Sequence, residues 1–183
     1  WPLHLRRRKI RLVMAQRFAS QFLGLALAAG SLALTGAAGA TDGDSQALDF
    51  ELSDGHAFVR LAELPKQVTV VNFWRSDCPP CVREMPLLAG TARQGKSQVV
   101  AIALQRPHET AAAPAAVQAA LQPPLQALQG PNEPRGLLAR FGNPRGALPY
   151  TVVLDAQRRA CARQIGEVTP DWLNAAIHRC TRT

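Results

Sequence analysis

No second Cys-x-x-C pair, and no Cys/His pair at ligand spacing, occurs in the 183 residues. A tetrahedral metal site closes only with such a second pair. The motif Cys78-Pro79-Pro80-Cys81 is therefore half of a zinc centre at most, and the four histidines do not complete it. No internal repeat is present. No cysteine follows the N-terminal apolar run, so that run carries no lipid-attachment site. The run, Phe22 to Leu34, is broken by Gly24, Gly30 and Ser31 and falls short of the roughly 20 residues that span a bilayer. Acidic residues are missing from the first 40 positions, which hold six of the 21 Lys and Arg. Without that segment the balance is fifteen basic to thirteen acidic, a net charge of +2 instead of +8. The case for a nucleic-acid partner goes with it.

What the N-terminus does contain is the pattern of a secretory signal peptide. Arg6, Arg7, Arg8, Lys9, Arg11 and Arg17 precede the apolar run, and the small-residue site Ala38-Gly39-Ala40 follows it. Met14 is a start that leaves a signal of ordinary length. Residues 1–40 are set apart on this basis, with an uncleaved N-terminal membrane anchor as the alternative. Arg7-Arg8 fits a twin-arginine signal poorly, because Arg11 interrupts the apolar residues expected after it. Residues 41–47 read as a flexible lead, and 48–183 as one domain with a core of its own. All four cysteines lie in the exported part, where a periplasmic location lets disulfides persist.

The chain is organised around Val68 to Leu88. An apolar, β-branched run ends in Phe73-Trp74, and Cys78-Pro79-Pro80-Cys81 then opens a helical segment. A strand that delivers a Cys-x-x-C pair to the first turn of a helix makes a redox-active dithiol. The two sulfurs are near enough to bridge, and helix N–H groups favour a thiolate on the first of them. That thiolate is the nucleophile of thiol–disulfide exchange. Proline suits the first helical turn, where its missing N–H has no helical partner in any case.

In order, Leu48–Leu64 reads as a hairpin around Asp54-Gly55, and Val68–Phe73 as a buried strand. Cys78 to about Gln94 is a helix with a kink expected from Pro86 near Glu84. Val99–Leu104 is a second buried strand. Glu109–Leu121 is Ala-rich and helical apart from Pro114, Leu125–Gln129 a short strand, and Pro134–Phe141 a short helix. Tyr150–Leu154 and Cys161–Val168 are strands separated by a turn at Arg158-Arg159. Thr169 or Asp171 caps a last helix running to about Cys180. The alternation gives the α/β class, a mixed sheet with parallel central strands and helices on both faces.

Val70-Val71-Asn72-Phe73-Trp74, Cys78-Pro79-Pro80-Cys81 and Arg83-Glu84-Met85-Pro86, with Leu148-Pro149-Tyr150 later, resemble the exported thioredoxin-like proteins of the TlpA/ResA type. The resemblance covers roughly Leu48 to Ile177. It implies a thioredoxin fold with an N-terminal β-hairpin extension, and a thiol–disulfide oxidoreductase needing no cofactor or metal. Its implied partners are proteins with disulfides, such as cytochrome c haem-attachment or copper-site cysteines, and a membrane thiol electron donor. By this resemblance Cys78 attacks and Cys81 resolves. Pro149 is the cis-proline facing the dithiol and leaves the Leu148 backbone free to pair with an incoming peptide. Trp74, Pro79, Leu148 and Pro149 are the candidates for substrate contact, although Trp74 also reads as packing. Glu84 is the acidic residue behind the dithiol that takes up or relays the Cys81 proton, and the alternative is an exposed helix glutamate. Asn72 stands where thioredoxins themselves carry a buried aspartate. Asp77 departs from the family's tryptophan and sets a like charge against the helix terminus beside the thiolate. Reductase, dithiol oxidase or isomerase, and Cu(I) metallochaperone all use Cys78 and Cys81 and remain open at this point.

Cys161 opens the final strand and Cys180 ends the final helix. Seven strand steps advance about 23 Å at roughly 3.3 Å each, and ten helical steps return about 15 Å. An antiparallel helix therefore ends a few ångströms from Cys161, and a structural disulfide Cys161–Cys180 is expected. Two unrelated thiols are the alternative.

Overall fold

Residues 46–182 are described by the computed structural model. The signal segment, Met14, the membrane-anchor alternative and most of the 41–47 lead lie outside the described residues. Strand β3 (Thr69–Trp74) is buried along its whole length. Period-two alternation decides what it meets on each side. Val70 and Trp74 join one apolar cluster, and Val71 and Phe73 join the other. The neighbouring β4 (Gln98–Ala103) alternates in step, with Val99, Ala101 and Ala103 on the first face and Val100 and Ile102 on the second.

Around this pair the described residues build a seven-stranded sheet. Its other strands are β1 (Glu51–Ser53), β2 (Phe58–Arg60), β5 (Gln126–Gln129), β6 (Tyr150–Leu154) and β7 (Ala160–Ile165), in the order β2-β1-β5-β4-β3-β6-β7. β3, β4 and β5 run parallel, and β6 and β7 continue antiparallel from β3. Helices α1 (Pro79–Arg93), α3 (Ala115–Ala120) and α5 (Pro170–Thr181) cover one face. Helix α4 (Arg135–Arg140) covers the other, where Leu137 and Leu138 share an apolar cluster with Leu48, Phe50 and Leu61. This is the thioredoxin fold with an added N-terminal hairpin. The hairpin turns where Asp54 Oδ1 accepts from the N–H groups of His56 and Ala57, both at 2.8 Å, and Gly55 takes φ +97°.

Two expectations are corrected. The Ala-rich segment is two short helices, α2 (Pro107–Ala111) and α3, because Pro114 cannot donate inside a helix and instead stands at the N-cap of the second. The last strand stops at Ile165; Gly166, at φ +93°, turns the chain before Val168. Helix α1 runs from Pro79 to Arg93 with Pro86 inside it, as the sequence places it. Thr169 caps α5 by accepting from the Trp172 N–H.

The turn at Arg158-Arg159 does more than reverse the chain. Arg158 adopts φ +67° and is buried, and its guanidinium donates to Thr69 Oγ1 at 2.7 Å and to the carbonyls of Leu64 and Pro65. It ties the loop ahead of β3 to the β6–β7 turn. Burial lowers its pKa from the usual guanidinium value, and three accepting oxygens offset that cost.

Cys161 and Cys180 are joined by a disulfide with Cα atoms 5.7 Å apart, tying β7 to α5. Closing a loop of this size stabilises a fold by roughly 3 kcal/mol on the chain-entropy model. Replacing both cysteines by serine should lower the unfolding free energy by about that amount, read by urea unfolding of the protein with Cys78–Cys81 kept oxidised. An unchanged midpoint would show that the bridge contributes nothing.

Candidate active site

The strand β3 ends at Trp74, and four residues carry the chain to Cys78 at the N-cap of α1. Cys78 has extended backbone angles there, and its Sγ accepts from the Cys81 N–H at 3.4 Å. The sulfur thus occupies the position where a helix start offers unpaired N–H groups and a favourable dipole. Pro79 and Pro80 fill the first positions of the helix at no hydrogen-bonding cost. Cys78 and Cys81 are joined in a disulfide with Cα atoms 5.3 Å apart. Cys78 is half-buried and Cys81 has no exposed surface, so only the first sulfur is open to a partner.

Glu84 follows Cys81 by three residues and is 2% exposed. It is not an exposed helix glutamate. Its Oε2 accepts from the Val168 N–H at 2.9 Å, and its Oε1 from the Asn72 amide at 2.7 Å. Asn72 also donates to Thr151 Oγ1 on β6 at 3.0 Å. Burial pushes the Glu84 carboxyl up to about 7 against these two donors, and the charge of Glu167 adds to the rise. The site therefore holds an acid that exchanges its proton near neutral pH, one helical turn behind the buried cysteine. The Asn72 amide, which does not ionise and so cannot relay a proton, donates to that acid.

Pro149 is buried, and the Leu148–Pro149 bond is cis. Its carbonyl accepts from the Gly166 N–H at 2.8 Å. Leu148 beside it is half-buried, and Pro79 is exposed next to the dithiol. Trp74, a sequence candidate for substrate contact, has no exposed surface. It packs with Cys81 and Met85 in the core and offers nothing for a partner to touch.

Asp77 is disarmed by a residue that sequence reasoning passed over. Arg75 holds it in a two-point pair, Nε to Oδ1 at 2.8 Å and Nη2 to Oδ2 at 2.9 Å, while Nη1 donates to the Leu104 carbonyl. The Arg75 hydrogen bonds keep the Asp77 carboxyl below the usual range. The charge set beside Cys78 is thus compensated. The two-residue spacing of Arg75 and Asp77 was the available signal. Among the described residues no three His, Cys, Asp or Glu side chains gather into a metal-holding group.

The fold and the dithiol at the start of α1 define a thioredoxin-like thiol–disulfide oxidoreductase. Residues 41–183 match the family model described as Redoxin, and the chain belongs to that family. No curated protein matches it. Among solved structures it is similar to a protein described as a thioredoxin from Neisseria meningitidis. The two are 25% identical, with TM-score 0.57, over 75% of this chain and 90% of that one. A DsbF homologue from Corynebacterium diphtheriae is 24% identical, with TM-score 0.57, over 71% and 83%. A secreted disulfide oxidoreductase of Mycobacterium tuberculosis, homologous to Escherichia coli DsbE, is 20% identical, with TM-score 0.54, over 70% and 94%. These last two show the shared fold.

The raised Glu84 carboxyl makes a stability prediction. Its ordinary value is 4.5 and its folded value about 7, so between these the folded protein holds a proton that the unfolded chain releases. The resulting stabilisation is fully present below the lower value and is lost as pH rises through the upper one. It amounts to roughly 3 kcal/mol. Unfolding free energies of oxidised wild type should fall between about pH 5 and about pH 8 relative to those of Glu84→Gln. Parallel profiles for the two proteins would contradict the raised value.

Proposed function

We propose that this protein is an exported disulfide reductase that acts on protein disulfides in the periplasm and is recharged by a membrane thiol donor. The observation that carries the reading is Glu84, an acid buried three residues behind Cys81 with a carboxyl near 7. A resolving cysteine with no exposed surface cannot give its proton directly to water, and the buried Glu84, three residues on in the same helix, supports the reading that this acid accepts it.

The steps balance as follows. The Cys78 thiolate attacks one sulfur of a substrate disulfide, and the other leaves as a thiolate that takes a proton from solvent. Cys81 passes its proton to the Glu84 carboxylate and attacks Cys78 Sγ. The second substrate sulfur leaves and is protonated in turn. The substrate gains two electrons and two protons, and the protein ends as the Cys78–Cys81 disulfide. A dithiol donor then reverses the exchange. The cis Leu148–Pro149 segment, with Pro79, forms the substrate-facing rim. Haem-attachment or copper-site cysteines are the substrate class the family resemblance implies. The signal-peptide reading of residues 1–40 and the secreted character of the tuberculosis protein support export.

Cys81→Ser should trap a mixed disulfide with an oxidised protein substrate, and Cys78→Ser should abolish disulfide reduction. Full activity in Cys78→Ser would overturn the assignment. A potential of the couple near about −270 mV or below fits a reductase, and one near about −120 mV an oxidant.

A further inference from the structure

The segment Gly166-Glu167-Val168, between β7 and α5, delivers three consecutive contacts to three parts of the redox site. Gly166 N–H donates to the Pro149 carbonyl at 2.8 Å. The Glu167 carboxylate accepts from Arg83 Nη2 at 2.7 Å and Nε at 3.1 Å, on the helix that carries the dithiol. Val168 N–H donates to Glu84 Oε2 at 2.9 Å. The two elements that flank the segment are themselves cross-linked through Cys161 and Cys180. Such a strap can be displaced only by breaking the cis-proline contact, the helix contact and the carboxyl contact together. Val168 is buried, whereas Glu167 is exposed and is not required for the core.

We propose that Glu167 is a positioning residue of the redox site: clamped by Arg83, it fixes the strap and its Val168 N–H against α1 and places a negative charge near Glu84. This rests on the reading of Glu84 as the proton acceptor of Cys81. Among the described residues, the following groups bear on Glu84. From β3 comes the neutral Asn72 amide, with Thr151 of β6 behind it. From the strap come the Val168 N–H and the Glu167 charge, and on α1 itself lie Cys81 and Arg83. A like charge favours the neutral form of Glu84, and Arg83 moderates that effect by pairing with Glu167. Both members of the pair lie at the surface, so either can be neutralised without opening the core.

A device built from charge has a signature that a merely mechanical strap lacks. Removing the Glu167 charge should lower the Glu84 ionisation midpoint. Removing the Arg83 charge should raise it, because Glu167 is then uncompensated. If the pair only held the strap in place, either change would loosen it and move the midpoint the same way in both variants, down where water reaches Glu84 or up where the Val168 N–H contact is lost.

The experiment uses the whole protein with carboxyl-labelled glutamate and follows Glu84 by carbon NMR, the resonance being assigned by its loss in Glu84→Gln. Glu167→Gln should shift the midpoint to lower pH and Arg83→Gln to higher pH, each by a few tenths of a pH unit. Shifts in the same direction, or none in either variant, overturn the proposal. The rate of exchange with a protein disulfide is measured over the same pH range. Opposite shifts of the midpoint, with a rate profile that Glu84→Gln leaves unaltered, uphold Glu167 as the positioning residue and overturn Glu84 as the proton acceptor. Rate profiles that move with the midpoints uphold both.

Discussion

A carboxyl group with 2% exposure, held by one backbone N–H and one side-chain amide, is the constraint to which the rest of the site answers. An ionised carboxylate in such a place is costly unless it is well bonded, and two neutral donors are not enough to keep it in the ordinary acid range. The outcome is a group that exchanges its proton near neutrality. Each of its supports comes from a different part of the chain: Asn72 from the central strand, Val168 from the last loop, and Thr151 at one remove from β6. The carboxyl thus depends on the completed sheet and on the packing of α5, and it cannot exist in a partly folded chain.

The dithiol itself is more local. A short connection from β3 and a helix start with two prolines set Cys78 in place. The compensation of Asp77 is local as well, since Arg75 reaches it across two residues. The division is physical: the position of Cys78 is set by the helix terminus, whereas the surroundings of Glu84 are set by long-range packing.

The same division explains what the sequence revealed. The strand that feeds the dithiol, the Asp54-Gly55 hairpin, the Tyr150–Leu154 strand and the Thr169 cap are fixed by alternation and by turn or cap chemistry within a few residues. They were legible for that reason. The interruption at Pro114 was visible in the sequence, but that it separates two helices, the first starting at Pro107, was not. Arg158 was legible only as part of a turn, and only the fold brings Thr69 and the carbonyls of Leu64 and Pro65 to it. Glu84 could be suspected from the family resemblance, but its burial depends on Val168, 84 residues later. Trp74 was ambiguous because an aromatic residue beside a dithiol serves either as a cover or as core, and its zero exposure makes it core.

The central claim is that the proton on Glu84 is coupled to the electrons on Cys78 and Cys81. The most direct test is the reduction potential of that couple measured across neutral pH, in wild type and in Glu84→Gln. Reduction puts ionisable thiols beside Glu84, which raises its hold on a proton, so extra proton uptake should accompany reduction near its midpoint of about 7. The wild-type plot of potential against pH should steepen there, and the plot for Glu84→Gln should not. Coincident plots for the two proteins would contradict the account.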